Sequence, residues 1–242
     1  MADTMLDFSQ FQWLSFDCYG TLIDWESGIW TALQPLAAKA GSKAREASLI
    51  RFGHHESAQE KETPNLKYSE LLALVHARLA AEWGVAADAE ADKVFGGSVG
   101  DWPAFSDSAE ALAYLKRHFK LVILSNVDCT SFAGSNRRLA VTFDAICTAE
   151  DIGSYKPDPA NFRYLLARLG GLGHTPSELL HVAQSLYHDH APANAAGLKS
   201  AWIDRRAGEP GWGATPEAAA HYDFRFTSLG ELAEAHKKEQ RN

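Results

Sequence analysis

Four short apolar runs constrain the fold of this chain more than any other feature: "WLSFD" (13–17), "LVILS" (121–125), "LLHVA" (179–183) and "SAWID" (200–204). Each is too short for a helix and runs into turn or helix signals, the pattern of strands buried inside a parallel sheet. "FDAIC" (143–147) reads as a fifth. Helical patterns alternate with the runs, notably "SAEALAYLKRHF" (108–119) and "PANFRYLLARLG" (159–170), the second closing on glycines as helices do. This alternation predicts an open, doubly wound α/β sheet.

Roughly a hundred residues separate the first run from the second, too many for one crossover connection. Most of that span reads as helix, with "IWTALQPLAAKA", "AREASLIRFGHHESAQ" and "YSELLALVHARLAAEWG" and no convincing strand. The expected organisation is a Rossmann-like α/β core at 1–24 and 103–242, with a helical cap inserted at 25–102. "GGSVGDWP" (96–103) would be the returning hinge and "AGEPGWGATPE" (207–217) a surface loop. A chain of 242 residues, 46% hydrophobic and 22% charged, suits a core domain carrying a smaller insert.

The formal net charge of -8 works against a nucleic-acid or anionic-membrane partner, so a small anionic substrate would need a local basic pocket. Three cysteines, Cys18, Cys129 and Cys147, show no CxxC spacing; neither a disulfide framework nor a zinc site is indicated, and reduced, buried thiols are expected. The opening "MADTMLDFSQFQWL" has no basic region of the signal-peptide kind, and no apolar run approaches bilayer length. A cytoplasmic protein is expected.

In open parallel sheets ligands bind beyond the carboxyl ends of the strands, so the residues just past each strand form one test set. They are Asp17 after the first; Ser125 and Asn126 after the run at 121; Lys156, in "SYKPDP", after the segment at 143; and Gln184, Ser185 and Asp189 after the run at 179. Alone, each has an ordinary reading: turn chemistry for Ser-Asn, a solvated loop charge for lysine before proline, a helix cap for Asp189. Together, two acids, a hydroxyl and a lysine at separate strand ends would converge on one pocket. The ten histidines form no metal-ligand pattern, though His54 and His55 on the cap and His188 and His190 near Asp189 could reach the pocket. Trp25, at the cap entrance, could help keep water out.

With "DCYGTL", "LSN", "YKPDP" and "QSLYHD" in order, the chain resembles the haloacid dehalogenase superfamily over nearly its whole length. Phosphatases of that superfamily usually carry an acid two residues after the nucleophile, where this chain has Tyr19, and an acid at the position of Gln184. Lacking both, the chain is similar to the L-2-haloacid dehalogenase branch, whose halide leaving group needs no general acid and whose reaction needs no metal. The resemblance makes Asp17 the nucleophile, held by Thr21 and Ser125, with Lys156 neutralising the crowded carboxylates and Asp189 helping water attack the ester. "LIRFGHHE" resembles the branch's cap segment, which would give Arg51 the substrate carboxylate. Tyr19, Phe52, Asn126, Gln184 and His188 complete the expected substrate pocket. The chain departs from the branch at Phe162, Gln184 and Leu186, where the resemblance calls for tyrosine, serine and asparagine.

The expected activity is hydrolysis of short 2-haloacids to 2-hydroxyacids, with the 2-halocarboxylate and water as partners, no cofactor and no metal. A homodimer is compatible with this reading. Two alternatives stand beside it: a phosphatase of the same fold, with Mg²⁺ on Asp17, the Tyr19 carbonyl and Asp189, and a non-catalytic small-molecule binding protein.

Overall fold

The computed structural model describes residues 7–241. After β1 (Trp13–Phe16) come four successive helices, α1 (Trp25–Lys39), α2 (Arg45–Glu62), α3 (Tyr68–Glu82) and α4 (Ala89–Gly97). Strands and helices then alternate: α5 (Ser108–Leu115), β2 (Lys120–Ser125), α6 (Cys129–Leu139), β3 (Ala145–Thr148), α7 (Ala149–Ile152), α8 (Pro159–Gly170), β4 (Leu179–Ala183), α9 (Ala191–Ala195) and β5 (Lys199–Ile203). Finally β6 (Phe224–Phe226) and α10 (Leu229–Glu239) close the chain.

The strands form one parallel sheet in the order β3-β2-β1-β4-β5-β6. The direction of winding therefore reverses at β1, which sits between β2 and β4. Such a reversal opens a crevice at the carboxyl end of the central strand, where Asp17 lies.

Strand alternation sends the two faces of the sheet into separate cores. Leu14, Phe16, Leu121, Ile123, Leu180, Val182, Ala201 and Ile203 join Leu112 and Leu115 of α5, Leu229 and Leu232 of α10, and the apolar side chains of the helical insertion. On the other face Trp13, Val122, Leu124, Cys147 and Leu179 pack on Phe162, Leu165 and Leu169 of α8 and Ala193 of α9. Ser15 and His181 lie among these strand residues, hydrogen-bonded to each other at 2.8 Å and both fully buried.

The predicted strands all form, within a residue or two at each end. β6 was not foreseen, because "FRF" is only three residues long, is flanked by no apolar run and leaves its side chains at least partly exposed. The helix expected over 108–119 ends at Leu115, where "KRHF" turns back into β2. Cys18 and Cys147 are buried, but Cys129 is exposed at the start of α6, which corrects the expectation of three buried thiols. No described helix is long and apolar enough to cross a membrane.

Two glycines let the insertion close on the rest of the chain. A Cβ on Gly28 in α1 would fall 2.3 Å from the Trp102 ring, and one on Gly53 in α2 would fall 2.1 Å from the Ala214 carbonyl oxygen. Neither position has room for a methyl group. Glu26 ties the same loop from α1, accepting from the Ala214 N–H at 2.9 Å and from Arg206 at 2.5 Å.

Candidate active site

Asp17 extends the β1–β4 ladder by one bond, its N–H donating to the Val182 carbonyl at 3.1 Å. Its side chain is thereby aimed past the strand end. Gly20, with φ of 89°, turns the chain back in a conformation that L side chains rarely adopt. That turn brings Thr21 over the carboxylate. The Thr21 hydroxyl donates to Asp17 Oδ2 at 2.7 Å while accepting the Gln184 N–H at 2.9 Å, so its proton has one destination.

Lys156 supplies the charge. Its ammonium donates to Asp17 Oδ1 at 2.9 Å, to Asp189 Oδ1 at 2.6 Å and to the Leu124 carbonyl at 3.0 Å, which uses all three of its protons. Asn126 fixes the backbone at this lysine from both sides, accepting the Lys156 N–H at 2.6 Å and donating to the Lys156 carbonyl at 2.9 Å. Behind Asp189, His181 Nε2 approaches Oδ1 at 3.0 Å and its Nδ1 meets Ser15. The Phe162 ring packs edge-on against His181.

The electrostatics follow from burial and from a single cation shared by two acids. Burial and the neighbouring Asp189 push the Asp17 carboxyl up, against the opposing pull of Lys156 and Thr21. Burial would also raise Asp189, but Lys156 and His181 together hold it well below the usual carboxylate range. For Lys156 itself the two carboxylates outweigh desolvation, and the ammonium stays charged above its ordinary range. The result is one firmly ionised acid and one poised acid on the same ammonium.

These groups open onto a cavity of about 40 Å³ lined by Asp17, Tyr19, Ser125, Gln184 and His188 together with Trp25 of α1 and residues of α2 and α3. That is room for a few waters or the reacting end of a small molecule. Ser125 Oγ is buried there without a hydrogen-bond partner among the described residues, as is Asp189 Oδ2. Tyr19 offers its ring, while its hydroxyl is turned to Ser135 Oγ at 2.9 Å and burial pushes its phenol well above the usual range. Burial holds His188 down to about 4, so it is neutral above that pH. The Gln184 side chain accepts from the Thr215 hydroxyl at 3.2 Å.

Of the residues expected from the sequence, Asp17, Tyr19, Ser125, Asn126, Lys156, Gln184, His188 and Asp189 line this cavity, and Thr21 touches it through Asp17. Arg51 does not. Its guanidinium makes a two-pronged pair with Glu82 on the outer side of the insertion, at 2.8 and 2.6 Å, because α2 turns that position toward α3. Phe52 is also outside the cavity, fully buried between Trp25 and Phe95 in the core of the insertion. His55 joins Glu82 as well, His54 faces a surface groove, and His190 is buried against Ser200 and the Ala183 carbonyl.

Four groups went unnoticed in the sequence. Glu56 and Glu60, one turn apart on α2, and Tyr68 on α3 line the cavity opposite Asp17. His181 stands behind Asp189. The signal for His181 was a lone histidine inside the apolar run "LLHVA"; for the glutamates it was their i, i+4 spacing on the face that also carries Phe52.

A family model described as haloacid dehalogenase-like hydrolase matches residues 11–197. Among solved structures the chain is similar to the L-2-haloacid dehalogenase PA0810, with 25% identity and a TM-score of 0.77 over 94% of this chain and 99% of that one. The L-2-haloacid dehalogenase from Xanthobacter autotrophicus aligns at 19% identity and TM-score 0.74, over 94% and 98% of the two chains. A putative HAD-hydrolase, YfnB from Bacillus subtilis, solved bound to magnesium, aligns at 18% identity and TM-score 0.74, over 93% and 98%. No curated protein sequence matches.

Proposed function

Since the chain belongs to the haloacid dehalogenase-like hydrolase family, we propose that it displaces halide from a short 2-haloacid through an ester on Asp17. The observation that carries this reading is the buried Asp17–Lys156–Asp189 array beside a cavity in which Tyr19 offers a ring and no acid. A carboxylate is a weak nucleophile, and this one is made competent by desolvation and by fixed aim.

In the first step an Asp17 oxygen bonds to C2 of the substrate as the carbon–halogen bond breaks, its electron pair leaving with the halide. Halide needs no proton, which suits a site with Tyr19, and not an acid, two residues after the nucleophile. In the second step water attacks the Asp17 carbonyl carbon. Asp189 Oδ2, buried and unpartnered, is the free acceptor for that water, and His181 steadies the carboxylate from behind. The ester then breaks between the carbonyl carbon and the product oxygen. The 2-hydroxyacid leaves with an oxygen from Asp17 and takes up the proton drawn from water.

The phosphatase alternative would need a divalent cation on Asp17, the Tyr19 carbonyl and Asp189, and the donor set fits it poorly. Both Asp17 oxygens are already engaged, by Lys156 and Thr21, and Lys156 holds the position between the acids. Gln184 offers a neutral amide already bonded to Thr215. Among the described residues no three His, Cys, Asp or Glu side chains are grouped to hold a metal ion. Metal independence is accordingly part of the proposal.

The test is halide and phosphate release from a panel of chloro- and bromoacids and phosphate monoesters, each with EDTA and with added Mg²⁺. Halide release from chloroacetate or 2-chloropropanoate, unchanged by EDTA, is expected. Phosphate release that requires Mg²⁺, with no halide from any haloacid, would replace this reading with the phosphatase; no turnover of either class would favour a binding protein.

A further inference from the structure

The cavity wall facing Asp17 poses a problem for any anionic substrate. Lys156 is the one cation among the lining residues, and its protons are already committed to Asp17, Asp189 and the Leu124 carbonyl. Opposite lie Glu56 and Glu60, only 4% and 8% exposed. Tyr68 donates its hydroxyl proton to Glu56 Oε1, and Asn126 Nδ2 donates to Glu60 Oε1 at 3.1 Å. Each carboxyl keeps its second oxygen free of any described hydrogen-bond partner. Ser125 Oγ, 1% exposed and unpartnered in the same cavity, is an independent sign that a polar ligand belongs there.

Other charged and titratable groups surround the pair. Tyr68 comes from α3; Tyr155 and Lys156 from the segment before α8; Asp17 and Tyr19 from the β1 loop; His188 and Asp189 from the segment after β4; and Lys61 lies beside Glu60 on α2. Burial pushes Glu56 up to about 7, against the Tyr68 hydrogen bond, and raises Glu60 well above its ordinary value, with the Glu56 charge adding to the rise. Both shifts run toward the protonated, hydrogen-bond-donating form of the carboxyl. A carboxylate entering against two ionised glutamates would meet only repulsion, whereas a protonated carboxyl presents it with an O–H donor.

We propose that Glu56 and Glu60 in their protonated form donate hydrogen bonds to the substrate carboxylate, in the role the sequence assigned to Arg51, so that an anionic ligand enters this cavity together with protons. The substrate class rests on the dehalogenase reading above, but the binding step needs no turnover. No bond to the ligand is made or broken: a glutamate takes a proton from solvent as the anion binds and returns it when the anion leaves.

The experiment is calorimetric titration of the wild-type protein with propanoate, an unreactive carboxylate, from pH 6 to 8.5 in two buffers of different ionisation enthalpy. Propanamide and propylammonium are the uncharged and cationic controls. Propanoate is expected to bind with net proton uptake that grows above pH 7, its Kd rising toward about tenfold per pH unit, while the Kd of propanamide stays flat. Glu56→Gln and Glu60→Gln, which keep shape and cannot titrate, should reduce the uptake and flatten the propanoate curve. Propanoate binding without proton uptake would overturn the proposal, as would no propanoate binding at any pH. Tighter binding of propylammonium than of propanoate at pH 6 would overturn it too, making the pair a cation site. Proton-coupled propanoate binding in a protein that dehalogenates nothing would uphold the carboxylate site and remove the dehalogenase reading alone.

Discussion

Replacing Lys156 with methionine keeps the length of the side chain and removes the only charge that Asp17 and Asp189 share. Lys156 is 1% exposed, and its contacts at 2.9 and 2.6 Å leave no room for water between the ammonium and either acid. Removing one partner from a buried pair costs about 3–5 kcal/mol, because the other charge is left uncompensated. For a chain of this size each kcal/mol moves Tm by about 2–4 °C, so a fall on the order of 6–20 °C is expected in thermal unfolding. The sign of its pH dependence is fixed by the shifts. Asp189, lowered in the fold, contributes stability above its unfolded pKa that is lost as pH falls through the lowered one; Lys156, raised, contributes below its unfolded pKa and loses it as pH rises through the raised one. In Lys156→Met both buried acids lose the cation that keeps them ionised, so the deficit should be larger at mildly alkaline pH and shrink as pH falls and one of them takes up a proton. Asp17, already pushed up by burial, should rise further without its cation, moving the acid limb of the rate profile to higher pH. A Tm within about 2 °C of wild type, together with an unmoved acid limb, would refute this account of the lysine.

Other substitutions probe neighbouring parts of the site. Thr21→Val, which removes both the donor to Asp17 and the acceptor for the Gln184 N–H, should lower kcat for chloroacetate by on the order of 10²-fold with little change in the far-ultraviolet spectrum. Gly53→Ala should destabilise by about 1–3 kcal/mol in denaturant unfolding, because the new methyl meets the Ala214 carbonyl and must push the 207–217 loop away from α2. For the wild type, kcat/KM on chloroacetate should fall on the acid side as Asp17 takes up its proton and on the alkaline side above about 7 as Glu56 loses its own. An initial-rate series across that range, repeated with uncharged chloroacetamide, should show the alkaline fall for the acid only.

The core was legible because its strands are buried on both faces and so appear as unbroken apolar runs, each with its polar residue at the carboxyl end. Asp17, Ser125, Lys156 and Asp189 could be grouped from that rule alone, with no knowledge of which strands are neighbours. The helical insertion was legible as helix and illegible as a site. Its helices are amphipathic on more than one side, so the sequence does not say which face of α2 meets the core: Arg51 turned out to face Glu82, and Glu56 and Glu60, five and nine residues further on, to face Asp17. Charge misled as well. A net charge of -8 and the expectation of an anionic substrate pointed to an arginine, whereas burial can turn a glutamate into a neutral donor. β6 escaped for a simpler reason, since a three-residue edge strand with partly exposed side chains has no periodic signal.

The most direct measurement of the central claim is a single turnover with enzyme in excess over chloroacetate in H₂¹⁸O, followed by mass spectrometry of the peptide that carries Asp17 and of the glycolate released. Attack by Asp17 on carbon, then by water on the Asp17 carbonyl, predicts ¹⁸O in the Asp17 carboxyl after the first turnover and glycolate carrying an unlabelled hydroxyl oxygen. Label in the glycolate with none in Asp17 would mean that water attacks the substrate directly, and would contradict Asp17 as the nucleophile.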